Sequence, residues 1–125
     1  MRVNLDANIL IDWLSGELLD EEFDQIIQND DICLTPLTIH IAWYFFEEGR
    51  IRCTKAELKE VIGACEILVM DKATYSTALL ISKEEDIEGG MQVACCLNNN
   101  VNMIVTSDSG LFAKYYKRIQ IKYIQ

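Results

Sequence analysis

Long apolar runs are missing from this chain. None approaches the roughly 20 residues a bilayer-spanning helix needs, and the opening Arg2-Val3-Asn4-Leu5-Asp6 has no secretory apolar core. A cytoplasmic protein with no membrane association is expected. Cysteine pairs at metal-binding or redox spacing are missing too. Cys33, Cys53, Cys65, Cys95 and Cys96 are odd in number, form no C-x-x-C and occur mostly in apolar runs. They read as small buried hydrophobes rather than zinc ligands or disulfide partners. There is no internal repeat and no low-complexity linker. Positive charge is nearly absent from residues 1–48, where eleven acids face Arg2 alone. The remaining residues carry nine acids and ten bases, so the net charge of −9 sits in the first part of the chain.

What is present is an ordinary globular composition, half hydrophobic and one quarter charged, which excludes a disordered chain. At 125 residues a single domain, residues 1–125, is expected. Strand candidates are Arg2 to Leu5, Asp31 to Leu34, Ile67 to Met70, Met103 to Thr106 and Ile119 to Ile124. Helix-period segments lie between them. Thr35-Pro36 opens Leu37 to Glu48, and the capping box Thr54-Lys55-Ala56-Glu57 opens a helix to Ala64. Lys72 to Ser82 is another candidate, Asp86 caps one running through Leu97, and the acidic segment Ser15 to Asn29 reads as helix. Such alternation predicts an α/β fold: three layers, α/β/α, around a central parallel sheet of four to five strands.

Two of those strands deliver an aspartate at the carboxyl end, Asp6 after the first and Asp108 after Thr106-Ser107. If the strands are parallel neighbours, both carboxylates enter the crevice where open α/β sheets place ligands. Oxygen donors there suit a hard divalent cation. Two basic clusters, Arg50/Arg52/Lys55/Lys59 and Lys114/Lys117/Arg118/Lys122 with Tyr115, Tyr116 and Tyr123 interleaved, read either as solvated faces or as local nucleic-acid surfaces.

These residues carry a resemblance. Leu5-Asp6-Ala7-Asn8-Ile9-Leu10-Ile11-Asp12 resembles the start of a PIN domain, and Thr35-Pro36-Leu37-Thr38-Ile39-His40 its second block. Asp86-Ile87-Glu88-Gly89-Gly90-Met91-Gln92-Val93-Ala94-Cys95 resembles the family's Asp-Phe-Glu-Asp block, and Thr106-Ser107-Asp108-Ser109-Gly110-Leu111-Phe112 its Thr-x-Asp block. The resemblance spans nearly the whole chain. It implies a Mg²⁺- or Mn²⁺-dependent endoribonuclease acting on RNA, most often a bacterial toxin neutralised by a small antitoxin. Unneutralised carboxylates about 4 Å apart repel by about 4 kcal/mol at an effective dielectric of 20, so such a cleft recruits cations.

The chain departs from that pattern at two places. The family's second acid falls on Ile41 and its third on Gly89, leaving Asp6 and Asp108 as the expected metal ligands. Metal binding is therefore expected to be weak or absent, and whether cleavage survives stays open. Asp86 and Glu88 flank the vacancy as candidate catalytic substitutes, and His40 precedes Ile41. By the resemblance, Asn8 and Thr106 orient the aspartates; otherwise Asn8 caps the first helix and Thr106 ends a strand. Asp12 reads as a surface residue. Gly89-Gly90 costs a helix about 1 kcal/mol per glycine, so either the helix starts near Gly90 after a turn or bare N–H groups await an anion. Ile41→Glu with Gly89→Asp is expected to rebuild a four-acid cage, the first at the cost of charging a buried site.

A receiver-like phosphoacceptor domain fits the length and alternation but lacks paired acids after the first strand and a late lysine. Two functions remain: a metal-dependent ribonuclease with an altered site, and a non-catalytic PIN-fold module binding a protein partner or RNA. Trp43-Tyr44-Phe45-Phe46 is a candidate homodimer patch.

Overall fold

A computed structural model describes residues 1–28 and 30–125. Five strands, β1 (Arg2–Leu5), β2 (Asp31–Leu34), β3 (Glu66–Ile67), β4 (Met103–Thr106) and β5 (Gln120–Tyr123), form one sheet in the order β3-β2-β1-β4-β5. Every pairing is parallel, with Val3 opposite Ile32 on one side and Met103 on the other. Around the sheet lie α1 (Ala7–Leu14), α2 (Asp20–Ile27), α3 (Pro36–Glu47), α4 (Lys55–Gly63), α5 (Lys72–Ile81), α6 (Ile87–Asn98) and α7 (Ser109–Tyr115).

Strand alternation sorts the core into two layers. Val3, Leu5, Leu34, Met103 and Val105 pack with Leu10, Phe23, Ala42, Leu58 and Ile62 from α1 to α4. On the opposite face, Cys33 and Ile104 pack with Ala78, Val93 and Tyr115 from α5 to α7. The expected α/β/α arrangement is what the chain adopts.

Several local expectations change. The third strand is Glu66–Ile67 rather than 67–70, because only Cys33 and Leu34 on β2 offer it a partner. Leu68 turns into the core while Ile67 and Val69 stay exposed. Of the acidic segment, only Asp20–Ile27 is helical, and its last residue, Asn29, lies outside the described residues. Trp43 and Phe46 pack into the α1–α4 layer, leaving Tyr44 as the exposed large side chain of the presumed dimer patch. All five cysteines are free. Among the described residues, no helix is long and apolar enough to cross a membrane.

The chain runs from β1 to β2 on one side of β1 and returns to β4 on the other. The order of strands therefore reverses between β1 and β4, and a crevice opens at their carboxyl ends.

Candidate functional site

Asp6 and Asp108 meet in that crevice because β1 and β4 are bonded neighbours, with the Asp6 N–H donating to the Val105 carbonyl at 2.9 Å. The cleft, of about 520 Å³, is also lined by Asp86, Glu88, Ile41 and Gly89. Four segments far apart in sequence thus converge, in the order the motifs suggested.

Each of three aspartates begins a helix. Asp6 Oδ1 accepts the Ala7 N–H of α1 at 2.9 Å. Asp86 Oδ1 accepts the Gly89 N–H of α6 at 3.2 Å. Asp108 Oδ1 accepts the Gly110 and Leu111 N–H groups of α7 at 2.8 and 3.3 Å. Negative caps complement the positive helix ends, so the carboxylates are fixed before any ligand arrives.

Thr106 joins the two strand-end acids. Its buried hydroxyl donates to Asp6 Oδ2 at 2.6 Å and accepts the Asp108 N–H at 2.9 Å. It contacts Asp6 directly and Asp108 through the backbone. Asn8 does neither of the things expected of it. It lines the cleft one residue beyond Ala7, but the cap of α1 is Asp6, and Asn8 makes no hydrogen bond to either aspartate.

The Asp86 carboxylate is already engaged. It caps α6, accepts the Tyr115 hydroxyl at 3.1 Å and lies 3.7 Å from the Lys114 ammonium. Burial, with Asp86 adding to it, pushes the Tyr115 phenol above its ordinary pKa, so it remains a proton donor. Glu88 stands exposed at the rim, His40 is exposed outside the cleft, and Asp12 is exposed as expected. No group of three or more His, Cys, Asp or Glu side chains among the described residues is placed to hold a metal ion. A full carboxylate cage does not fit this cleft.

Both readings of Gly89-Gly90 are overturned, since α6 starts at Ile87 and its free N–H is capped by Asp86. A Cβ on Gly89 would collide with the Asp86 carboxylate. One on Gly90 would collide with Ser82 at the end of α5, its backbone Cα lying 3.1 Å away. The glycines admit a cap and a close helix contact, which offsets their helix cost.

Sequence reasoning missed a polar pair beneath the cleft. Asn4, fully buried in β1, donates to the Cys33 carbonyl at 3.1 Å and accepts from Gln92 Nε2 of α6 at 3.0 Å. The signal was an asparagine within an apolar strand, since a buried amide needs partners.

Fold and cleft define an α/β protein with an acidic crevice at a topological switch point. The chain belongs to the PIN domain family, whose model matches residues 3–118. It is similar in fold to a toxin–antitoxin complex from Klebsiella pneumoniae, at 12% identity and a TM-score of 0.67, covering 90% of this chain and 92% of that one. It is also similar to VapBC2 from Rickettsia felis bound to a promoter DNA fragment, at 13% identity and a TM-score of 0.63, with both chains covered completely. A third likeness is to FitAB bound to a DNA fragment, at 16% identity and a TM-score of 0.59, covering 97% and 94%. No curated protein matches the chain.

Proposed function

We propose that this PIN domain is a toxin-type relative of metal-dependent endoribonucleases in which the acidic cage is degenerate, so that RNA cleavage is weak or lost. The observation that carries the reading is the cleft itself. Thr106 bonds both Asp6 and Asp108, and Ile41 and Gly89 line the same cleft, which supports reading them as the places of two further acids. Asp6 and Asp108 are the positions left to hold Mg²⁺ or Mn²⁺, and two carboxylates hold such ions weakly.

A second reading, a non-catalytic module that binds a protein partner of the antitoxin kind or RNA, is favoured by Asp86. Its charge is already met by Lys114, Tyr115 and the α6 N-terminus. The similarity to toxin–antitoxin complexes supports a protein partner for either reading.

Melting the protein with and without Mn²⁺ tests the degenerate site. Linkage adds only about 0.4 kcal/mol when the metal concentration equals Kd, so the expected shift is small. A large upward shift that disappears in Asp6→Ala would show a competent site. Cleavage of RNA by the purified protein, abolished by EDTA and by Asp6→Ala, selects the first reading over the second.

A further inference from the structure

We propose that a basic groove beside the cleft binds an unpaired RNA strand, phosphates following Lys83, Lys117 and Arg118 and a base stacking on Tyr116. The proposal rests on the PIN ribonuclease reading for its choice of RNA. The groove, about 790 Å³ in volume, is lined by Lys83, Lys114, Tyr116, Lys117 and Arg118, with Glu84 as the acid on its wall. It adjoins the acidic cleft, because Gly110 and Lys114 line both.

Charge singles this groove out. The chain carries −9, yet four cations face one acid here. Lys114 pairs with Asp86, whereas Lys83, Lys117 and Arg118 form no ion pair among the described residues. Exposed cations left unneutralised in an acidic protein offer phosphates a local stripe. A groove between α4 and the start of β2, by contrast, is lined by Asp30, Asp31, Glu57 and Glu60 and repels phosphate.

Aromatic placement selects an unpaired strand. Tyr116 is 52% exposed and Phe112 39%, and their rings stack at 5.6 Å with an interplanar angle of 23°. The Lys117 ammonium lies over the Tyr116 ring, 5.8 Å from its centroid, so a flexible phosphate-binding group and an exposed aromatic ring share one patch, and a stacking base takes the place of that ammonium over the ring. Exposed aromatic rings next to cations bind single strands, whose bases are free to stack, better than duplexes. The structure trims the sequence cluster accordingly. Tyr115 is fully buried, and the Lys122 ammonium is spent on the Ile26 carbonyl at 3.0 Å.

Fluorescence anisotropy of a labelled uridine homopolymer RNA, in EDTA to prevent cleavage, tests the groove. Lys117→Ala with Arg118→Ala should flatten the slope of log affinity against log salt by about 1.4, since each phosphate contact to a single strand contributes about 0.7. Tyr116→Ala should weaken binding roughly 5- to 150-fold, while Tyr116→Phe retains it because stacking needs the ring and not the hydroxyl. Lys55→Ala with Lys59→Ala on α4 should leave affinity unchanged. A duplex of the same length should bind less tightly than the single strand. Parent-like affinity and salt slope in the Lys117/Arg118 variant, or a larger loss in the Lys55/Lys59 variant, overturns the groove. So does a parent that binds no RNA, tighter binding of the matching DNA strand, or capture of an acidic peptide in place of RNA. Failure of the nuclease reading shows separately, as RNA binding in the groove with no cleavage and no Mn²⁺ shift dependent on Asp6.

Discussion

A side chain on residue 89 would begin where the Asp86 carboxylate now sits. On the function proposed above, the place of the family's third acid is therefore filled, and this changes what repair requires. Ile41 is only partly buried at the cleft wall, so Ile41→Glu costs less than the charging of a buried site anticipated from sequence. Gly89→Asp costs more, because it must evict a helix cap worth about 0.5–2 kcal/mol. We expect Ile41→Glu/Gly89→Asp to gain little Mn²⁺ affinity and to lose stability. Adding Asp86→Gly, a tolerable cap, should free the space and raise the affinity. Calorimetric titration decides it: Mn²⁺ binding as tight in the double variant as in the triple would mean that Asp86 does not block residue 89.

At the scale of elements, four of the five short strands and the helix starts near Thr35, Thr54, Lys72 and Asp86 were legible because each carries local chemistry, either a short apolar run or a capping side chain. The α7 helix was missed, although Asp108 caps it, because the 7 residues Ser109–Tyr115 are too few for a helical period to show. β3 was misplaced because its pairing depends on how far β2 extends, which composition does not report. The contact between α5 and α6 was invisible as well. Gly90 allows α6 to press on Ser82, so Gly90→Ala, which on propensity alone should stabilise by up to about 1 kcal/mol, should instead destabilise by about 1–3 kcal/mol through overpacking. Urea denaturation checks the sign. An unchanged or higher midpoint would mean that the two helices pack with slack.

For the whole molecule, burial governs both assembly and pH response. With Trp43 and Phe46 partly buried against the core and Phe45 lying under Arg50 at 4.3 Å, the segment presents Tyr44 alone as an exposed large side chain. Tyr44→Ser should leave the molar mass measured by light scattering unchanged, and a fall in mass would return the interface to α3. Burial pushes the Cys95 thiol from 9.0 up to about 11 and raises Cys96 further. A native thiol that keeps its proton while the unfolded thiol loses it makes stability fall as pH rises. The loss begins near the ordinary thiol value of 9.0 and continues past 11. Denaturation midpoints should therefore drop between about pH 8 and about pH 10, and Cys96→Ala should reduce that slope whatever it does to the midpoint at neutral pH. An identical slope in the variant would place the titration elsewhere, Cys33, Cys95 and Tyr115 also being buried with raised pKa values.

The sequence by itself determined the alternating α/β order, the cap-bearing helix starts and the two strand-end aspartates. These are local facts, written in side-chain period, hydrogen-bonding residues and motif spacing. Tertiary structure alone decided that Asp86 turns into the space at Gly89, that Thr106 bridges Asp6 to Asp108, and that Asn4 meets Gln92 beneath the cleft. It also decided that of the interleaved tyrosines Tyr115 faces the core and Tyr116 the basic groove. Each of these depends on where a helix from one part of the chain lands against a strand from another. That placement is set by packing of the two core layers, and the residues on either side of such a contact carry no local record of it.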